Sequence, residues 1–295
     1  MKIIVIGENS QLGKELTYYS RYSANNYFYF NSESMNFLNI SNVKEKIIKC
    51  NPDLVINFSA YTNVEEAETD KELCFQLNSH APMEIAKICK SLGVCLIHIS
   101  TDYVFGGDLS GPFTNKSPTS PINTYGLSKL EGEKNIIKHN EKSIIIRTAS
   151  VFSVHNNNFV KNITKKILSR SPVKVVEDQN ISITYAKDLS YFIYKIIEQN
   201  QINYIINTNS NNIVHFTNLN YTTWFEVANH IFNELNLSEK KYNNIIPVTS
   251  KDWISKAPRP YDSRLALDYD LLSSLNIEIV DWKRRVSKVL KELDL

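Results

Sequence analysis

The amino-acid sequence predicts an α/β fold, a doubly wound parallel sheet with a smaller C-terminal lobe. Short apolar runs rich in β-branched residues alternate with helical patterns over roughly the first half of the 295 residues. The first run, Lys2–Ile6, leads directly into a glycine-bearing turn and then a helical pattern. Beyond about residue 150 strands become sparse, while amphipathic helices continue. Regular alternation of strand and helix is typical of a parallel sheet with helices on both faces.

Each predicted element follows from a local pattern. Apolar runs of four to six residues are long enough for buried strands. In the last predicted helix, Trp282, Val286, Val289 and Leu290 form a clear apolar face. A stretch rich in Pro, Ser and Asn, residues 106–123, predicts a long loop that rims a site. Strands are predicted at residues 2–6, 27–30, 54–58, 94–99, 143–147 and 204–207, and helices near 11–19, 42–50, 71–92, 125–138, 186–198, 224–235 and 281–293.

The turn after the first strand predicts a dinucleotide site. It reads Gly7-Glu8-Asn9-Ser10-Gln11-Leu12-Gly13 and connects a strand to a helix. Backbone N–H groups at the start of that helix would bind a pyrophosphate, which the helix dipole also favours. Gly7 permits the tight turn, and Gly13 lets the helix pack closely on the strand. Taken alone, the loop is also compatible with a simple strand-to-helix turn.

A second motif indicates proton transfer. Thr101 comes just after the fourth predicted strand, and Tyr125 and Lys129 lie further along the chain, four residues apart. Residues four apart share one helix face, so the Lys129 ammonium can lie beside the Tyr125 phenol. A neighbouring cation favours the phenolate and lowers the phenol pKa toward the working range. Taken alone, the spacing also fits an ordinary amphipathic helix. Following the glycine loop, this set predicts a proton transfer alongside a hydride transfer.

Composition and charge exclude several classes of protein. The net charge of +2 gives no reason to expect binding to nucleic acid or to an acidic membrane surface. No apolar run approaches the roughly 20 residues needed to span a bilayer, and the N-terminus does not resemble a signal peptide. The four cysteines lack Cys-x-x-Cys spacing, which favours buried reduced thiols. We therefore expect a cytoplasmic protein. The histidines form no metal-type pair, and His98 is most simply a hydrogen-bonded core residue.

Four stretches resemble the dTDP-4-dehydrorhamnose reductase family of the extended short-chain dehydrogenase/reductase superfamily. They are residues 7–13, residues 55–64, the Ser-Thr-Asp-Tyr-Val-Phe run at 100–105, and the Tyr-Gly-Leu-Ser-Lys helix start at 125–129. The run at 100–105 is specific to this branch, whereas Tyr-x-x-x-Lys marks only the superfamily. Further matching segments continue past Arg259, so the likeness covers nearly the whole chain.

The resemblance implies a Rossmann-type fold and NAD(P)H-dependent reduction of a 4-keto group on a nucleotide-activated 6-deoxyhexose. It implies an NAD(P)-binding domain at residues 1–150, joined by about 184–210, and a mainly substrate-binding lobe at 151–295. The implied catalytic residues are Thr101, Tyr125 and Lys129. Those implied to bind cofactor are Gly7, Asn9, Ser10, Gln11, Leu12, Gly13, Asn39, Ala60, Tyr61, Tyr125 and Lys129, and those implied to bind substrate are Asp102, Val104, Phe105, Ser150, Asn158 and Arg259.

The chain departs from the family pattern at the predicted sugar pocket. Ser150 replaces an expected tryptophan, and residues 181–184 replace an expected Gly-x-Pro-Thr. Some members bind magnesium through acidic residues. Glu15 matches one such position, but Lys187 occupies the region of another, so we expect no metal site. The second strand ends without an acid that would select a ribose 2′-hydroxyl, and Ser32 could bond a 2′-phosphate. We expect NADPH or NADH, with NADPH slightly favoured.

Three functions remain open from the sequence. The first is the 4-keto reductase itself, most simply acting on dTDP-4-dehydro-L-rhamnose or a close relative for polysaccharide biosynthesis, as a monomer or homodimer. The second is a nucleotide-sugar epimerase/reductase, which needs a further acid–base pair such as Cys and His near the sugar. The third is a non-catalytic NADP-binding regulatory subunit that retains the nucleotide site without turnover.

Overall fold

The computed structural model describes residues 1–208, 212–235 and 245–293. Its secondary structure follows the alternation expected from the sequence. The strands are β1 (Lys2–Ile6), β2 (Asn26–Phe30), β3 (Leu54–Asn57), β4 (Cys95–Thr101), β5 (Ser143–Thr148), β6 (Val151–Phe152), β7 (Val173–Val176), β8 (Asn180–Ile181), β9 (Thr184–Tyr185), β10 (Ile213–His215), β11 (Thr222–Thr223) and β12 (Ile245–Val248). The helices are α1 (Gln11–Ser20), α2 (Ile40–Cys50), α3 (Val64–Ala67), α4 (Lys71–Phe75), α5 (Ala81–Leu92), α6 (Thr124–His139), α7 (Phe159–Leu168), α8 (Ala186–Glu198), α9 (Ile202–Thr208), α10 (Trp224–Glu234), α11 (Tyr269–Ser274) and α12 (Trp282–Glu292).

The main sheet is six-stranded and parallel, in the order β10-β5-β4-β3-β1-β2. The chain builds outward from β1 to β2 on one side, and from β3 through β10 on the other. The topological switch point therefore lies between β1 and β3, and ligands of such sheets bind at the carboxyl ends of these strands. This arrangement confirms the predicted doubly wound α/β fold.

Alternate residues of the strands pack against helices on opposite faces of the sheet. Ile3 and Val5 join the hydrophobic core that α1 and α8 cover. Ile4 and Ile6 join the core that α2, α5 and α6 cover. Side chains of a strand point alternately to its two faces, so a continuous apolar run is required when both faces are buried.

A separate hydrophobic core lies outside the main sheet. It includes Phe152, Ile163, Val227, Trp282 and Val286, which belong to β6, α7, α10 and α12. The two-part division predicted from the sequence stays a prediction. In such a division, β10 and α11 would belong to the part that contains the main sheet, because Val214 and Leu272 pack into the core of that sheet.

Two predicted elements differ in the structure. The prediction of a strand at residues 204–207 is wrong, because these residues lie in α9. The sixth strand of the main sheet is β10. A four-residue apolar run fits the repeat of a strand as well as that of a helix. In the structure, the Ile205 side chain projects from α9 and packs into the core of the main sheet. The predicted helix at 71–92 is divided into α4, a π-helical turn at Gln76–His80, and α5.

Two further observations concern membrane-spanning helices and cysteines. Among residues 1–208, 212–235 and 245–293, no helix is both long and apolar enough to cross a membrane. The four cysteines are free thiols, three of them buried and Cys50 partly so.

Candidate active site

The glycine loop connects the end of β1 to the start of α1. Gly7 has φ +96°, and a Cβ there would come within 3.0 Å of the Phe58 and Ser59 backbone. A Cβ on Gly13 would overlap the Gly7 carbonyl oxygen. Ser10 caps α1 by accepting a hydrogen bond from the Gly13 N–H at 3.0 Å. These close approaches hold the N-terminus of α1 against the end of β3, as the glycine pattern predicts.

Two adjoining cavities open at this edge of the sheet. The first has a volume of about 400 Å³ and the second about 540 Å³. Ser10, Gln11 and Ala60 line both, so the cavities meet at the start of α1. The first is also lined by the predicted residues Leu12, Thr101, Asp102, Tyr125, Lys129, Ser150, Asn158 and Arg259, and the second by Gly7 and Asn9.

Five of the predicted site residues line neither cavity. Gly13 acts through its close packing, as above. Asn39 caps α2, its side chain accepting from the Asn42 N–H. The Tyr61 N–H donates to Asn78 Oδ1 at 2.8 Å. Val104 and Phe105 require a correction: both are fully buried, and Phe105 stacks on Phe113 at 4.4 Å. They pack the core and are not exposed to a substrate.

Helix α6 presents Tyr125 and Lys129 to the first cavity. Asn123 caps the helix by accepting from the Gly126 N–H at 2.7 Å, and its amide donates to the Pro258 carbonyl. The Tyr125 ring meets Tyr103 edge-on at 5.9 Å. Burial raises the pKa of the Tyr125 phenol well above its usual range, and the Thr101 hydroxyl only partly opposes that rise.

Lys129 does not behave as the sequence predicts. Its Nζ donates to the Ile99 carbonyl at 2.7 Å and lies 3.1 Å from His98 Nε2. Burial lowers the pKa of Lys129 to about 8. The expected lowering of the Tyr125 pKa by a Lys129 cation is therefore wrong for this structure, because the amine faces β4 and burial of the phenol dominates.

Asp102 is buried beside Thr101 at the end of β4. The Thr101 hydroxyl donates to Asp102 Oδ1 at 3.1 Å, while Oδ2 has no hydrogen-bond partner among the described residues. Burial raises the pKa of Asp102 to about 7. This oxygen is itself buried, and the Ser263 side chain beside the carboxyl partly opposes the rise of the Asp102 pKa.

Asp102→Asn should flatten the dependence of stability on pH. The folded-state pKa lies above the unfolded value of 3.8, so the folded protein binds more protons between about pH 4 and pH 7. Stability at this site therefore falls as pH rises through that window. The loss is about 4 kcal/mol, because the pKa rises from 3.8 to about 7 and each pKa unit is worth about 1.4 kcal/mol. Urea unfolding of both proteins across this range measures it, and parallel curves would contradict the assignment.

Arg259 lies at the cavity wall, where it is bound by Glu65. The sequence did not indicate Glu65 as a site residue. Arg259 Nη2 donates to Glu65 Oε1 at 2.9 Å, and its Nη1 reaches the Tyr103 hydroxyl at 3.4 Å. Ser255 and the Lys256 N–H also donate to the Glu65 carboxylate. These hydrogen bonds and Arg259 together lower the Glu65 pKa to about 2, against the opposing effect of burial. No local pattern marks Glu65, because its partners lie about 190 residues away in the chain.

Trp224 is a second residue that the sequence analysis missed. It lines the first cavity, its indole N–H donates to Gln179 at 3.0 Å, and its ring packs on Phe159 at 4.5 Å. Ser150, where the family pattern has tryptophan, lines the same cavity with φ +44°. The cavity therefore has a tryptophan in its wall, but this residue is Trp224 of α10 and not the residue at position 150.

Comparison with known proteins identifies the family. The model of the RmlD substrate binding domain family matches residues 1–295. The chain belongs to this family. It is 30% identical to dTDP-4-dehydrorhamnose reductase of Escherichia coli (strain K12), over 99% of this chain and 98% of that protein. It is 29% identical to the spore coat polysaccharide biosynthesis protein SpsK of Bacillus subtilis (strain 168), over 99% of this chain and 97% of that protein.

A solved relative supports both the fold and the cofactor class. The crystal structure of dTDP-4-dehydrorhamnose reductase from Bacillus anthracis str. Ames in complex with NADP superposes with a TM-score of 0.86. The two chains are 29% identical, and the match covers 99% of each. The resemblance stated from the four sequence stretches is confirmed.

Within the described residues, no group of three or more His, Cys, Asp or Glu side chains could hold a metal ion. Glu15 lies near Lys187, but burial dominates and raises its pKa to about 7.

Proposed function

We propose that this protein is an NAD(P)H-dependent reductase of the 4-keto group of a nucleotide-linked 6-deoxyhexose, most simply dTDP-4-dehydro-L-rhamnose. One observation carries the proposal: Thr101, Tyr125 and Lys129 line a cavity that opens into the cavity beside the glycine loop. A proton donor thus adjoins a dinucleotide site at the switch point of the sheet. The product would be dTDP-L-rhamnose or a close relative, for polysaccharide biosynthesis.

The second cavity fits the adenosine side of a dinucleotide. The loop backbone at Gly7 leaves no room for a side chain, and the N-terminus of α1 adjoins both cavities. Exposed N–H groups at a helix start favour a pyrophosphate. Reduced nicotinamide, when bound, supplies the hydride for the carbonyl carbon. Ala60 lies where the cavities meet, and Lys129 is placed to hold a ribose hydroxyl.

Tyr125 acts as the acid in this mechanism. As hydride reaches the carbonyl carbon, negative charge develops on the oxygen, and the phenol donates its proton there. A phenol is protonated at neutral pH, so Tyr125 carries the proton that reduction needs. The Thr101 hydroxyl lies next to the same cavity and would align the carbonyl by turning its hydrogen from Asp102 Oδ1 to the carbonyl oxygen.

Arg259 and Asp102 are proposed to bind the two ends of the substrate. A guanidinium suits a diphosphate, and Arg259 Nε has no partner among the described residues. Asp102 and Ser150 line the first cavity, where both can bond sugar hydroxyls. The Asn158 amide is already used by Gln11 and by two carbonyls, so Asn158 shapes the wall more than it binds a ligand.

The preference between cofactors is proposed to favour NADPH. Asn31 and Ser32 line the second cavity after β2, where an acidic residue would repel a 2′-phosphate. Ser32→Asp should raise the KM for NADPH at least tenfold and change the KM for NADH far less, because only NADPH carries the extra phosphate. Initial rates with each cofactor measure the ratio. An equal change with both would place the adenosine ribose elsewhere.

The epimerase/reductase alternative lacks its extra acid–base pair at the cavity. None of the described residues that line the first cavity is a cysteine or histidine. Cys95 is buried in β4, and burial raises its thiol pKa to about 12. His98 is likewise buried in the strand. A non-catalytic regulatory subunit remains the second alternative, although Thr101, Tyr125 and Lys129 are all present and converge.

The test is oxidation of NADPH and NADH, in parallel, with dTDP-4-keto-L-rhamnose generated in situ. Rapid loss of reduced-nicotinamide absorbance would support the rhamnose-type reductase. Turnover only with other 4-keto sugar nucleotides would retain the reaction class and change the sugar, as Ser150 and residues 181–184 suggest. Tight NADPH binding without turnover across that panel would favour the regulatory subunit. A cytoplasmic monomer or homodimer is part of the same proposal.

A further inference from the structure

The turn between β6 and α7 brings a side chain to the place where the two cavities meet. Among the described residues, those that line both cavities are Ser10, Gln11, Phe58, Ala60, Thr62 and Asn157. The first five follow β1 or β3 of the main sheet. Asn157, in contrast, precedes α7, which packs in the separate hydrophobic core. The junction of the cavities is therefore built from two distant parts of the chain.

Hydrogen bonds hold the residues on both sides of Asn157. Asn156 Nδ2 donates to the Asn9 carbonyl of the glycine loop at 2.8 Å. Asn158 Nδ2 donates to Gln11 Oε1 at 3.0 Å. Asn156 has φ +54°, a backbone conformation that asparagine adopts more readily than most residues. The turn is thus bonded to the glycine loop before and after Asn157.

The Asn157 side chain itself has no hydrogen-bond partner among the described residues. It is exposed, and it faces both cavities from a turn that its neighbours hold in place. A side-chain amide has two donor hydrogens on Nδ2. These hydrogens are therefore available to a ligand at the junction, and little conformational freedom of the turn is lost when they bind it.

The charge around the second cavity indicates what such a ligand needs. None of the described residues that line this cavity is lysine or arginine. Lys14 lies nearby, but its Nζ donates to Asn156 Oδ1 at 3.2 Å. A dinucleotide with adenosine in the second cavity and nicotinamide in the first places its pyrophosphate at the junction, beside the start of α1. The phosphate oxygens there must be satisfied by N–H donors.

We propose that Asn157 is a cofactor-binding residue whose Nδ2 donates to the pyrophosphate of NAD(P)H. The inference rests on the place of the cofactor given under the proposed function. Backbone N–H groups at the start of α1 bind the pyrophosphate from the glycine loop, and Asn157 binds it from the turn before α7. The separate hydrophobic core thus takes part in holding the cofactor.

Asn157→Asp is the decisive variant, because a carboxylate repels phosphate at nearly the same side-chain size. The dissociation constants of NADPH, NADH and ADP-ribose are measured by calorimetry without substrate. All three ligands carry the pyrophosphate, so each constant should rise at least tenfold. Asn157→Ala, which only removes the donor, should raise each about fivefold. Unchanged affinities would overturn the proposal. A rise with NADPH alone would place Asn157 at the 2′-phosphate, and a rise that spares ADP-ribose would place it at the nicotinamide; either overturns the proposal.

Asn162→Asp is the matched control. Asn162 is exposed on α7, lines neither cavity and undergoes the same change of charge. Its dissociation constants should stay within twofold of the wild type, and a rise equal to that of Asn157→Asp would attribute the effect to overall charge and overturn the proposal. The readout needs no turnover. A wild-type protein that binds NADPH without reducing any sugar nucleotide would contradict the proposed reductase and leave the comparison of variants intact, whereas one that binds none of the three ligands would contradict both proposals.

Discussion

Tyr125→Phe is expected to reduce turnover by roughly 10²- to 10⁴-fold, the usual contribution of a positioned acid. The phenol is the proposed proton donor, and it lines the same cavity as Thr101. Phenylalanine keeps the ring and its edge-on contact with Tyr103, so the cavity wall should be preserved. Cofactor affinity should stay within a few fold. Steady-state rates together with NADPH binding by fluorescence measure both quantities.

Tyr103→Phe is the matched control. It removes a neighbouring hydroxyl whose only described role is to accept from Arg259 at 3.4 Å. Its turnover should stay within about tenfold of the wild type, with any loss expressed in the KM for the nucleotide sugar. Full activity in Tyr125→Phe would overturn the assignment of Tyr125 as the acid. Equal losses in both variants would indicate damage to the cavity.

Arg147→Met is expected to destabilise the protein by about 3–5 kcal/mol, the usual cost of breaking a buried ion pair from one side. Arg147 donates to Glu133 through Nε at 2.9 Å and Nη2 at 2.6 Å, and both side chains are almost fully buried. Without the guanidinium, the Glu133 carboxylate would be buried alone. The midpoint of urea unfolding measures the loss.

A double variant separates the pair from its packing. Arg147→Met with Glu133→Leu removes both charges, so it should recover most of the stability that Arg147→Met loses. The guanidinium also lies 5.1 Å from the centre of the Phe105 ring, and the methionine side chain can occupy part of that space. If the double variant is no more stable than Arg147→Met, the loss comes from packing and not from the unpaired carboxylate.

The sequence by itself determined the fold class and the family, and it predicts the site residues. Continuous apolar runs such as Lys2–Ile6 predict strands buried on both faces, because local composition reflects burial. Gly7 and Gly13 mark the tight turn from β1 to α1, since the backbone leaves no space for other side chains there. Spacing alone placed Tyr125 and Lys129 on one helix that faces the same cavity.

Only the tertiary structure decided which neighbours those side chains have. The motif at 100–105 is one continuous run, yet Asp102 lines the cavity while Val104 and Phe105 are buried in the core. The Lys129 amine contacts β4, because His98 and the Ile99 carbonyl lie beside it. Periodicity describes a segment by itself, whereas pKa values and contacts depend on groups that folding brings together from distant positions. The sequence therefore determines which chemical groups are present, and tertiary packing determines their partners and protonation states.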